Sequence, residues 1–226
     1  MGAVAANPAL AANVARLRRT ARIRLKRQAS DLAHDFSHAD RVARTARLVA
    51  ENAARDEGWS VDADVLECAA LLHEIGRGAE RRGESTLDAT LRVAEEMLRA
   101  DGLGELVWPV CEAILAHKDT GRQPETPEAR ALSDADALEE LGAIGISRAF
   151  AAAIAQAVPL LYDLDDPLAR DRPLDDGACL LDRLPKRQLP VAEHMESRWA
   201  ADEAARRAQR IADFYAAFFD EAGLVR

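Results

Sequence analysis

The sequence predicts an all-α fold, on three observations. Apolar residues make up 49% of the chain and are dominated by Ala and Leu, while aromatics are only 4%; that balance favours helices, where Ala and Leu lose little conformational entropy. The apolar positions recur at spacings of three and four and show no strand alternation. Gly and Pro gather mainly between the periodic stretches. A chain of 226 residues can bury one sizeable core, so a single helical domain spanning residues 1–226 is expected.

The elements follow in order. From Pro8 to about Gln28, Leu10, Val14, Leu17, Ala21 and Leu25 form one stripe of a first helix. Ser37 precedes a second, carrying Val42, Ala46, Val49 and Ala53 and stopping near Gly58. A third follows Asp62 through VLECAALLHEI and ends at Gly76. Ser85 or Thr86 can cap the fourth, with Leu87, Leu91, Ala94 and Leu98 facing inward. Val107, Val110, Cys111, Ile114 and Leu115 mark the fifth. The loop KDTGRQPETPEAR leads to a sixth helical region, SDADALEELGAIGISRAFAAAIAQA, where Gly142 and Gly145 imply close backbone packing or a break between two helices; close packing is the favoured reading. A long acidic loop is expected over about residues 159–190 and a final amphipathic helix over about 192–222.

Charge and cysteine usage narrow the function classes. A formal net charge of -9 argues against general affinity for nucleic-acid backbone or anionic membrane. One segment opposes the average: Arg16, Arg18, Arg19, Arg22, Arg24, Lys26 and Arg27 crowd the first helix. A solvated helix face is the plain reading, with a few cations available to border an anionic pocket. Cys68, Cys111 and Cys179 are odd in number, far apart and without CxxC spacing, which suits a reducing cytosol. The N-terminal stretch lacks a sustained apolar run, so a cytoplasmic protein without signal peptide or membrane span is expected.

The histidines carry the chemistry. His34, Asp35 and His38 lie in AHDFSHADRV, His73 and Glu74 in LLHEIG, His117 in AILAH, and Asp134 and Asp136 in SDADAL. A lone histidine on an apolar helix is more often a hydrogen-bonded core residue, and helix-start aspartates are commonly caps. His73 and Glu74, however, are adjacent ionisable groups directly after the apolar run AALL, and burying both needs compensation that a divalent cation provides. Mixed imidazole and carboxylate donors without thiolate suit an open catalytic site better than a closed structural zinc.

These stretches resemble the HD-domain metal-dependent phosphohydrolases. HDFSHADRV, LLHEIG, AILAH and above all DADALEELGAIGISRAF are similar to the bacterial branch that includes nucleotide pyrophosphohydrolases, over about residues 30–152. The resemblance implies an HD-type helical bundle holding one divalent ion (Mn, Ni, Co, Fe, Zn or Mg) through His38, His73, Glu74 and Asp136, with Asp134 as the alternative to Asp136. Phosphoryl chemistry adds candidates beside it: Asp35 to orient His38 or a water, His117 as a proton donor or else a hydrogen-bonded core histidine, and Arg41, Arg77 and Arg148 as cations for the phosphate charge or else surface and helix-pairing charges. Arg183 matches a cationic position of the family. Three departures stand out: the family's His-Asp pair is His73-Glu74, Arg77 stands where this branch often has an acid, and the extra histidine pair of two-metal members is not visible between Arg77 and Leu98. The implied activity is hydrolysis of a small phosphate substrate, foremost pyrophosphate release from a nucleoside triphosphate, with homo-oligomerisation open. Alternatives are a phosphomonoesterase or phosphodiesterase, or a ligand-sensing module weakened by the Asp-to-Glu change.

Overall fold

The computed structural model describes residues 8–28, 33–79, 83–117 and 122–224. The described residues are helical, with one isolated parallel bridge between Leu160 and Cys179 and no strand. The chain divides into two compact units, residues 1–30 with 34–135 and residues 31–33 with 136–226.

The first unit begins with α1 (Pro8–Gln28), whose Val14, Leu17, Ala21 and Leu25 are buried as their spacing predicts. Arg16 Nε reaches Asp101 Oδ1 at 2.7 Å and Thr20 Oγ1 donates to Asp101 Oδ2 at 2.9 Å, tying α1 to the end of α4. The next helix, α2 (Phe36–Glu57), starts before Ser37, because the Asp35 carboxylate is the N-cap and accepts from the Ser37 and His38 backbone N–H groups. Its stop at Gly58 follows from a left-handed φ of 73°, open to a residue without Cβ. Helix α3 (Ala63–Leu72) is capped by Asp62 and ends earlier than its apolar run suggests. Successive turns replace it, with Ile75 N–H donating to the Leu72 carbonyl and Arg77 N–H to that of Glu74. After α4 (Thr86–Ala100), capped by Ser85, a 3₁₀ turn over Gly104–Leu106 leads into α5 (Val107–Ala116). Leu71, Leu72, Ile75, Leu98, Leu103 and Ile114 are fully buried in this unit.

Helix α6 (Pro127–Leu138) starts inside the stretch expected as a loop. The Thr126 hydroxyl accepts from Ala129 N–H at 3.1 Å, and Pro127 supplies a preset helical φ in the first turn. The loop's residues 118–121 lie outside the described set.

The sixth helical region is broken, not continuous. Helix α7 (Gly142–Ala155) begins at Gly142, whose φ is 68°, so the expectation of one helix through both glycines is corrected. Gly145 does serve close packing: a Cβ there would stand 2.0 Å from the Glu140 carbonyl oxygen. The acidic loop is more ordered than expected, with short helical pieces over Leu180–Asp182, Leu184–Gln188 and α8 (Leu189–Val191). Asp182 is fully buried and receives Arg172 in a fork, Nη1 to Oδ2 at 2.5 Å and Nη2 to Oδ1 at 3.0 Å, plus Asp175 N–H at 2.7 Å. The last helix, α9 (Arg198–Glu221), starts later than expected because Ser197 caps it. Tyr215 packs on Phe219 with ring centroids 4.8 Å apart, and Arg207 Nη1 donates to the Leu138 carbonyl at 2.7 Å.

Candidate metal centre

Helix ends bring three imidazoles of the first unit together. His38 is in the first turn of α2, where the Asp35 cap fixes the backbone. His73 and His117 occupy the C-cap positions of α3 and α5. All three are buried, and their rings form a contiguous row: His38 and His73 centroids are 5.0 Å apart, His73 and His117 5.4 Å.

The hydrogen bonds settle which nitrogen of His73 faces the centre. Its Nδ1 lies 2.8 Å from the Ala70 carbonyl, which can only accept, so Nδ1 carries the proton and Nε2 presents a lone pair. That Nε2 stands 3.1 Å from Nε2 of His38. Two imidazole nitrogens at ~2.1 Å from one ion, at tetrahedral to octahedral angles, are about 3.0–3.4 Å apart, so the separation suits a shared divalent cation. His117 likewise directs Nδ1 to a backbone carbonyl, that of Ile114.

Among the described residues, His38, His73 and Asp136 each offer one ligand atom within 4.8 Å of the others, a donor set that could hold a metal ion. Asp134 is not in that group and is buried on α6. The two aspartates are two residues apart, about 200° around a helix, so they cannot serve the same face. Glu74 is not in the group either: its carboxylate, 3% exposed, accepts from Arg77 Nε at 2.5 Å.

The remaining expected site residues are placed as follows. Asp35 Oδ1 accepts from the Ser37 hydroxyl at 2.5 Å and from Ser37 and His38 N–H at 2.9 and 3.2 Å, so it acts on His38 through the backbone. Arg41 Nη1 donates to the Ser37 hydroxyl at 3.0 Å. In the second unit, Arg148 is buried, with Nη1 2.5 Å from the Ala33 carbonyl and Nη2 3.2 Å from Glu140. Arg183 faces Asp176 at 3.8 Å. His34, which the sequence reading left without a role, meets His38 edge-on at 5.9 Å; its place four residues before His38 was the available signal. Burial pushes the Cys68 thiol up to about 12, with Glu67 adding to the rise, so it offers no thiolate near neutral pH.

Residues 35–141 match the HD domain family, and the architecture is the all-α HD fold. The uncharacterized protein YpgQ of Bacillus subtilis is 30% identical over 123 residues, 52% of this chain. The match spans 56% of YpgQ, little more than half of that curated relative. The crystal structure of Bacillus subtilis YpgQ in complex with ADP superposes with a TM-score of 0.68 at 21% identity, covering 92% of this chain and 97% of that one. An HD-superfamily hydrolase from Bacillus thuringiensis superposes with a TM-score of 0.69 at 25% identity, over 96% of this chain and 100% of that one. No described helix is long and apolar enough to cross a membrane.

Proposed function

We propose that this protein is a metal-dependent phosphohydrolase acting on nucleotides, in its sharpest form one that releases pyrophosphate from nucleoside triphosphates. The observation that carries the reading is the pair of buried Nε2 atoms 3.1 Å apart, one with its tautomer fixed by the Ala70 carbonyl. His38, His73 and Asp136 are the proposed ligands, with Glu74 as a fourth. A divalent ion bound by such a set supplies Lewis acidity toward a phosphoryl oxygen and lowers the pKa of bound water. The ADP bound by YpgQ supports a nucleotide ligand.

The chain's own groups take the remaining tasks. His117 is the proposed proton donor to the leaving group; because its Nδ1–H is directed at the Ile114 carbonyl, the proton donated from Nε2 is one that the ring takes up first to form the imidazolium. Asp35 holds the first turn of α2 and with it His38. Arg41, Arg77, Arg148 and Arg183 are the proposed cations for the phosphate charge. Arg77 must exchange its contact with Glu74 to serve, and Arg148 its contact with Glu140. The Glu74–Arg77 pair also favours a second reading, a ligand-sensing module whose turnover is weakened by a ligand turned toward an arginine.

His73→Ala tests the proposal. Metal content and triphosphate hydrolysis are expected to fall together while the parent releases pyrophosphate and acts on triphosphates faster than on monophosphates. Equal rates on both, or inorganic phosphate as the sole product, would refute the pyrophosphohydrolase reading. Metal retained by His73→Ala would refute the centre.

A further inference from the structure

Between α1 and the start of α2 lies a cavity of about 680 Å³. Arg19, Arg22 and Lys26 line it at i, i+3 and i+7 of α1, one stripe on a helix covering roughly 10 Å of its axis. All three are exposed, and none has a carboxylate partner among the described residues. Shortage of carboxylates is not the reason, since the chain carries 39 acidic residues against 30 basic ones. Among the described residues, the acids that line this cavity, Asp35 and Asp40, are already committed. Asp40 pairs with Arg18 and, at 3.0 Å, with Arg44, while Asp35 caps α2. Arg22 is held near the half-buried Phe36 ring, its guanidinium carbon 6.0 Å from the centroid.

We propose that this cavity is a second anion site, made for a polyphosphate chain and separate from the His38–His73 centre. Neither histidine lines it. The spread of the three cations along α1 matches several phosphates in a row better than a single one. A net charge of -9 disfavours a long polyanion while leaving a compact one able to follow this local stripe. Phe36 adds an aromatic face against which a base can stack when the chain is the tail of a nucleotide. The site also touches the device that positions His38, because Asp35, which lines the cavity, holds the His38 backbone N–H at 3.2 Å.

Calorimetric titration of the full chain with inorganic tripolyphosphate at low ionic strength tests the proposal without reference to hydrolysis. Binding is expected to persist in His73→Ala, and in the parent with a chelator present. The exposed double variant Arg19→Ala/Lys26→Ala is expected to lose at least ~tenfold in affinity, each lost contact being charge-assisted. Raising the salt concentration should weaken binding. A nucleoside triphosphate that binds tighter than tripolyphosphate, with the advantage lost in Phe36→Leu, identifies a nucleotide tail; equal affinities identify a free polyphosphate. The proposal is overturned if the double variant binds as the parent does, or if binding vanishes both in His73→Ala and under the chelator. Orthophosphate binding as well as tripolyphosphate, or a single-stranded oligonucleotide binding tighter than either, overturns it as well.

Discussion

Gly76 closes the turn that carries His73 and Glu74, and α4 runs directly against it. A Cβ at Gly76 would stand 2.3 Å from the Thr90 backbone nitrogen, 2.6 Å from Thr90 Oγ1 and 2.7 Å from the Ala89 carbonyl carbon. Two of these three atoms are backbone, so no rotamer change relieves Gly76→Ala; the turn and α4 must separate by about 1 Å to regain ordinary contact. Overpacking of this kind costs about 1–3 kcal/mol. Separation also stretches the buried hydrogen bond from Gly76 N–H to Thr90 Oγ1, 3.1 Å long, whose loss is worth about 1 kcal/mol. The stiffer unfolded chain returns roughly 0.4–1 kcal/mol. The expected net destabilisation is about 2–3 kcal/mol, which for a chain of this size lowers Tm by roughly 5–10 °C. Urea and thermal unfolding followed by circular dichroism measure it. Adding Thr90→Ala to Gly76→Ala should not restore stability, because the nearest obstruction is the Thr90 backbone. A Gly76→Ala protein as stable as the parent, or rescue by Thr90→Ala, would refute the close-approach argument.

Two further outcomes are expected. If Glu74 coordinates the ion, Glu74→Asp keeps metal and Glu74→Ala loses more than about tenfold in metal affinity; elemental analysis and metal titration decide, and parent-like binding by both leaves Glu74 as the counter-ion of Arg77 alone. Burial works against the Asp176 carboxylate, but hydrogen bonds from Arg187 and Lys186 outweigh it and lower its pKa from 3.8 to about 2. The unfolded chain therefore binds this proton first as pH falls. Its stabilisation is complete above the unfolded value, is lost as pH falls through about 2, and reaches at most about 2 kcal/mol before screening of the partly exposed Lys186 and Arg187. Asp176→Asn should lower stability at pH 7 and flatten the acid limb of the stability profile; an unchanged acid limb would refute this.

The helical class and most helix positions were legible because each is a local property. The stripe of Val14, Leu17, Ala21 and Leu25, the Asp62 and Ser85 caps and the Gly58 stop all act within a few residues. Where one cap competes with another, the sequence read alone went astray. Asp35 outruns Ser37 at the start of α2, Thr126 with Pro127 opens α6 inside an apparent loop, and Ser197 delays the start of α9. A break at Gly142 was the less favoured of two readings because Ala-rich helical propensity runs through it, and the left-handed backbone there decides for the break.

The candidate metal centre divides the same way. Residue types by themselves marked His73 and Glu74, since buried adjacent ionisable groups demand compensation wherever the chain folds, while His38 and Asp136, with Asp134 as the alternative, were singled out by the resemblance to the HD-domain phosphohydrolases. Direction around a helix and distance across it are tertiary quantities, and the sequence left them open. They bring Asp136, not Asp134, into ligating range of His38 and His73. They turn Glu74 toward Arg77, and Arg148 toward Ala33 and Glu140. The basic run of α1 was equally visible as composition, but which cations keep a partner depended on what packed beside them. Asp40 and Glu67 take Arg18, while Arg19, Arg22 and Lys26 line a cavity without a carboxylate partner among the described residues.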